Sequence, residues 1–543
     1  MLTDQINYDG TRTPPKTLLF VVLCAAWMLP GLVGHDPWKT DEAVVFGMVT
    51  EMLHTGDWVV FSIAGEPMLE KAPLFLWTAA AFAKILGKVI PLHDAARLAS
   101  GLYVGVALGF LSLAAQTLMG ERAVRMAVLL MLGCLGLLIR AHEMTTDLAG
   151  LAGISLALYG MAIALKRPVP GGAVTGLGIG LAFLGDGPLP LLMMLGALLI
   201  LPLASPLWRT RAHAKTVAMA LACALPLVAL WPLLLQWRSP MVLSLWLSNA
   251  GALGWGGEGL GLLYFIKILP WYAWPAWPLA AWALWRARRT LPERPDLQLP
   301  LLVFVAFLLA ISVFGDAREV NAMPLLLPLA ILGVAELETL PRGAASALDW
   351  FGMTTFFLCA ALLWLGWGAA ITGKPEFAAA WLNREVPEFT YRFSFVAFVL
   401  AALLTLVWLV VEARSLRSTR RAVVNWTAGI TMVWMLVMTL GVPLVDQARS
   451  YRAVSARMIK AVPGDFRCIA RHNVGDAQRA LLDYFINLRS IRDDNPASAR
   501  CRVLLVQASP LRAPTVDPAW SEIWRGSRPG DRNELFILYG RES

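Results

Sequence analysis

Thirteen apolar stretches, each able to cross a bilayer, constrain this chain more than any other feature. They lie at about 16–34, 97–118, 124–141, 147–165, 171–185, 188–206, 216–236, 263–285, 299–315, 322–339, 350–371, 393–412 and 423–445. A spanning helix needs roughly 17–25 apolar residues. Only 15% of the 543 residues are charged, against about 25% in soluble domains. The expected fold is therefore an all-α polytopic membrane protein with about 13 transmembrane helices. No small-residue cleavage site follows the first run, so that run is expected to stay as a span.

A further apolar run at 73–87 decides the topology. If it lies at the interface or re-enters, one side of the membrane receives Arg12 and Lys16, Arg122 and Arg125, and Lys166 and Arg167. The same side receives Arg209, Arg211 and Lys215, then Arg286, Arg288 and Arg289, and then Arg414, Arg417, Arg420 and Arg421. Such clustering marks the cytoplasm. If 73–87 spans, most of these clusters move outside. The first option predicts a membrane protein with a cytoplasmic N-terminus and its C-terminal tail outside. The net charge of +9 then sits in short cytoplasmic loops, which excludes a nucleic-acid partner.

The periplasm receives the loop 35–96, the turn 141–147, Gly185-Asp186-Gly187-Pro188, the loops 237–262, 316–321 and 372–392, and the tail 446–543. This divides the chain into a membrane domain, 1–445, and a periplasmic domain, 446–543. The tail patterns as a small α/β unit: helices near 450–461 and 476–488, and strands at 467–471, 502–507 and 535–539. Cys468 and Cys501 fall beside two of these strands, where an oxidising compartment permits a disulfide. Cys24, Cys134, Cys223 and Cys359 lie in apolar runs and read as small packing residues. Trp231, Trp237, Trp271, Trp274 and Trp277 read as an interfacial belt.

Charges beside lipid are costly and so mark candidate chemistry. Asp41-Glu42 opens an amphipathic helix whose apolar face is Val44, Val45, Met48, Val49 and Met52. As plain structure the two acids cap that helix and complement its dipole. As chemistry they are catalytic carboxylates. Glu70-Lys71-Ala72-Pro73 opens the ambiguous run, and Lys71 is either a snorkelling residue or a fixed cation for phosphate. Asp147 opens a span, as a cap or as a site carboxylate, and the nearby His142 reads as structural. Arg318, in Gly315-Asp316-Ala317-Arg318-Glu319, either pairs with Asp316 or Glu319 or grips an anionic headgroup.

In order and sidedness these motifs resemble the GT-C class of polyprenyl-phosphate-sugar glycosyltransferases, which includes protein O-mannosyltransferases and the aminoarabinose transferases of lipid A. The resemblance covers essentially the whole chain and is strongest over 36–100. It implies a catalytic role for Asp41 with Glu42 beside it, a second site aspartate in Asp147, and Lys71 and Arg318 as ligands of the donor phosphate. It implies a sugar carried on undecaprenyl phosphate, 4-amino-4-deoxy-L-arabinose or similar, and a lipid A phosphate or another periplasmic acceptor. The chain departs from the family at three points. Ala72-Pro73 stands for a Pro-Pro pair. Gly185-Asp186-Gly187 stands for Thr-Lys-Gly. The loop 237–262 lacks the histidine that joins the family's glutamate, here Glu70, at a divalent metal. A polyprenyl-phosphate hexose passed to a protein or other glycan is the alternative within the class. A lipid-linked sugar flippase is the alternative outside it, although the chain shows no internal repeat of the kind common in transporters.

Overall fold

The computed structural model describes residues 15–38, 40–68, 70–251, 261–387, 389–414, 419–464, 466, 468–511, 516–531 and 533–541. Arg12, Arg417, Arg467 and most of 252–262 lie outside the described residues. The chain opens with α1 (Pro15–Met28), α2 (Asp41–Thr55), α3 (Pro73–Leu86) and α4 (Leu92–Met119). There follow α5 (Ala123–Gly133), α6 (Leu135–His142), bent 74° from α5, then α7 (Asp147–Ala164) and α8 (Pro168–Asp186).

All thirteen runs become helical, but they differ in length. Among the described residues, eight helices are long and apolar enough to cross a membrane, or nine if the bent α5–α6 pair is one span. The run at 263–285 breaks into Leu262–Tyr272 and Ala276–Ala287. The run at 423–445 belongs to a longer helical stretch, Thr419–Ala461, with a wide turn at Val437–Gly441. The ambiguous run is α3, with 14 residues. At 1.5 Å per residue that is about 21 Å, short of a hydrocarbon core of about 30 Å.

The short run 171–185 lengthens to the 19-residue α8 because glycines let it close on α7. A Cβ on Gly153 would meet the Ala182 backbone at 2.3 Å, and one on Gly160 would meet Thr175 at the same distance. Small residues at such crossings let helix backbones approach in lipid.

The C-terminal part carries a five-stranded sheet of order β4-β3-β5-β7-β6. Its strands are β3 (Ile469–His472), β4 (Ser490–Arg492), β5 (Val503–Ala508), β6 (Ser521–Gly526) and β7 (Leu535–Gly540). β3 runs parallel to β4 and β5, with the helix Asp476–Ile486 as its crossover. Cys468 and Cys501 are bonded just before β3 and β5. β4 and β6 escaped the sequence reading, as did a two-residue hairpin in the first loop, β1 (Ser62–Ile63) with β2 (Glu66–Pro67).

The amphipathic helix α2 has no open polar face. Glu42, Ala43, Val45 to Met52 and their neighbours are buried on several sides. Small residues make this possible: a Cβ on Gly47 would fall 2.4 Å from that of Ala480 in the crossover helix. Polar ties seal the contact: Arg489 to Glu51 at 2.8 Å, Arg471 to Glu66 at 2.6 Å, and Arg479 to the Ile63 carbonyl at 2.9 Å. The tryptophan belt divides too. Trp237 is well exposed, whereas Trp231 is buried and stacks on Phe61.

Candidate functional site

The site forms where the first loop meets the mouths of the helices. Its anchor is Arg97, whose side chain is wholly buried. Nε donates to Glu42 at 2.7 Å, Nη1 to Asp94 at 2.9 Å and to the Leu32 carbonyl, and Nη2 to the His35 carbonyl. The fork geometry of a guanidinium suits such convergent acceptors. Asp94 also accepts from the backbone N–H of Gly34, a residue whose φ of +93° favours glycine. Arg97 therefore pins 32–42 to α4. Glu42, with its other oxygen held by the Trp38 N–H at 2.9 Å, is a buried anchor, set apart from the open face where Asp41 stands. The loop is tied down at Asp36 as well, which accepts from Ser450 and Arg452, and Asp446 accepts from the Trp38 indole.

Asp41 is the first residue of α2 and faces the other way. Both its carboxylate oxygens accept from one Nη2 of Arg318, at 3.1 and 2.9 Å. Arg318 thus pairs across 277 residues of chain, and not with Asp316 or Glu319 beside it. A second guanidinium, Arg140, stands 3.7 Å from Asp41 and holds Glu143 at 3.0 Å. The sequence reading missed this pair because it took Arg140 as the end of a span. The bend at Cys134 turns α6 away from α5 and carries Arg140 into the site. Glu143 lies outside the spanning segments. Burial pushes its carboxyl up to about 7, with Arg140 opposing and the nearby charges of Glu42 and Asp41 reinforcing.

Asp147 begins α7 and accepts from the Thr145 hydroxyl. Asp186, at the end of α8, is the second missed residue. It stands over Gly150, where a Cβ would come within 2.7 Å of its own Cβ. It feels the charges of Asp147, Lys71 and Arg318. Lys71 is half-buried and makes no ion pair among the described residues. Pro73, the first residue of α3, holds Ala72 extended, which sets Lys71 at the positive end of that helix. An anion placed there meets a lysine and a helix N-terminus.

His142 is structural. Its two ring nitrogens face the Leu138 and Trp27 carbonyls, to which a ring N–H donates, and the ring packs against Trp27 and Trp434. Glu70 is exposed, and among the described residues no group of three or more His, Cys, Asp or Glu is arranged to hold a metal. These residues do not fit a metal ion, and no step is routed through one.

Comparisons with known proteins bear on the fold. The family model for dolichyl-phosphate-mannose-protein mannosyltransferase matches residues 70–231, less than a third of the chain. The crystal structure of ArnT from Cupriavidus metallidurans bound to undecaprenyl phosphate aligns with a TM-score of 0.70 at 18% identity, over 97% of this chain and 98% of that one. The apo form of the same protein aligns at 0.67 and 18%, over 96% and 97%. No curated protein sequence matches. At this identity the shared property is the fold. The chain is a multi-pass membrane protein with an ArnT-like fold.

Proposed function

We propose that this protein is an inner-membrane glycosyltransferase that moves a sugar from undecaprenyl phosphate to a periplasm-facing acceptor. The finer reading is 4-amino-4-deoxy-L-arabinose as the sugar and a lipid A phosphate as the acceptor. One observation carries the proposal: Arg140 and Arg318 converge on one carboxylate, Asp41, at the mouth of a helical bundle, and the charges of Arg318 and Lys71 both reach Asp186. A phosphate on a lipid tail fits such a cluster. The likeness of fold to a protein crystallised with undecaprenyl phosphate supports the same donor. The division into a membrane part, 1–445, and a periplasmic part, 446–543, suits a donor presented from the outer leaflet.

In the reaction the bond between the sugar's anomeric carbon and the phosphate oxygen breaks as an acceptor oxygen attacks from the opposite face. The bonding pair leaves with undecaprenyl phosphate, whose new charge is met by Lys71 and the arginines. Asp41 accepts the proton of a hydroxyl acceptor. A phosphate acceptor is already anionic, and Asp41 then orients it or the sugar amine. Asp147, whose charge reaches Asp186, then positions the donor sugar.

Purified protein in detergent, given a polyprenyl-phosphate sugar and either lipid A or an acceptor peptide, tests this by mass spectrometry of the products. Detergent abolishes sidedness, so a flippase gives no product. Glycosylated lipid A is the expected product. A glycosylated peptide transfers the proposal to the protein-acceptor branch, which the mannosyltransferase family match favours. Absence of both overturns the enzyme reading. In this assay Lys71→Ala is expected to raise the donor KM about 10-fold or more, the weight of one charge-assisted contact, with kcat little changed. An unaltered KM removes Lys71 from the phosphate site.

Glu143 predicts a pH dependence. As pH rises through about 7 it loses its proton, and its charge draws Arg140 away from the donor. The donor is a phosphodiester whose own charge is fixed in this range. Its KM is therefore expected to rise from about pH 6 to about pH 8 in wild type and to stay flat in Glu143→Gln. A slope that survives the substitution assigns the titration elsewhere. Because the folded protein holds this proton above the ordinary value of 4.5, the stability that Glu143 contributes is present in acid and lost as pH rises through about 7.

A further inference from the structure

The two roles given to Asp41 and Arg318 conflict in this structure. Both carboxylate oxygens of Asp41 accept from Nη2 of Arg318, at 2.9 and 3.1 Å, so the group meant for an acceptor's proton and the N–H pair meant for a phosphate face each other. Arg140 leans on the same carboxylate at 3.7 Å. We infer that Asp41 is a resident counter-ion which the donor phosphate displaces from Arg318 and Arg140, and that this displacement switches the base on. The inference rests on the polyprenyl-phosphate reading above.

Three features carry it. A phosphate offers more acceptor oxygens than a carboxylate and takes guanidinium groups bidentately, so it replaces Asp41 without stranding either arginine. Lys71 makes no ion pair among the described residues and is open to the phosphate. Glu143 accepts from Arg140 at 3.0 Å, so Arg140 keeps a partner when Asp41 leaves. While Arg318 holds it, both carboxylate oxygens of Asp41 are engaged, and leaving Arg318 frees them for an acceptor hydroxyl. Asp41 therefore activates an acceptor only after donor has bound, and the enzyme is ordered with donor first. Arg140 becomes a phosphate ligand in its own right.

The test is binding of undecaprenyl phosphate to the full-length protein in detergent, followed by native mass spectrometry or calorimetry. Asp41→Asn removes the competing charge and is expected to bind about tenfold tighter than wild type, and Arg140→Gln about tenfold weaker. Equal or weaker binding by a folded Asp41→Asn overturns the displacement. If wild type fails to bind undecaprenyl phosphate at all, the donor assignment itself falls, which is a separate outcome. Wild-type kinetics give a check that needs no variant. An unreactive acceptor analogue must inhibit uncompetitively against the donor, and a noncompetitive or competitive pattern overturns donor-first order.

Discussion

Asp41→Asn is expected to lower kcat for sugar transfer by about 10²–10⁴-fold, the usual weight of a positioned acid or base, while the protein still inserts and extracts normally. The contrast follows from position. Asp41 is the first residue of α2, with its side chain 15% exposed at the edge of the open site. Asn is as acceptable as Asp at a helix start, so α2 keeps its boundary. The loss is the charge that faces Arg318 and Arg140 and the lone pair that takes the acceptor's proton. Complementation measures it directly: cells that rely on this variant are expected to lack the modified acceptor although immunoblots show normal amounts of protein. Wild-type levels of modification would remove Asp41 from catalysis.

Arg97→Met is expected to act on the fold. Removing one partner from a buried ion pair typically costs about 3–5 kcal/mol, and here two carboxylates, Glu42 and Asp94, lose the same cation. The loop carrying Asp41 loses its tie to α4, so a lower melting temperature in detergent and poor recovery should accompany the loss of activity. The double variant Arg97→Met, Glu42→Gln restores part of the melting temperature, because it leaves one buried charge fewer without a partner. A single variant melting like wild type would show that Arg97 does not hold the loop.

Asp41 and Glu42 show how far the sequence could be read. As a dipeptide they looked like one motif. Successive residues of a helix point about 100° apart, so one carboxylate reached the site and the other turned into the Arg97 anchor. Periodicity reports that a helix exists and is silent on what meets each face, which is why α2 read as a surface helix although the C-terminal domain covers it. The helices themselves were legible throughout, since apolar length is a local property. Lys71 was legible because Pro73 fixes its place by local geometry. The Arg318–Asp41 pair was not, because no local signal spans 277 residues. Arg97, Arg140 and Asp186 hid at the ends of apolar runs, where a charge reads as a boundary. A lone arginine at the start of such a run, followed by residues too small to cover it, was the available signal.

The tethers of the first loop also order events in time. Asp36, Glu51 and Glu66 leave the ribosome hundreds of residues before Arg452, Arg489 and Arg471, which hold them. The earliest-made polar loop thus waits for the last-made hundred residues before its geometry is complete. A chain trimmed of its tail lacks Arg452, Arg489 and Arg471 and with them these ties of the first loop, so unfinished copies are expected to be inactive.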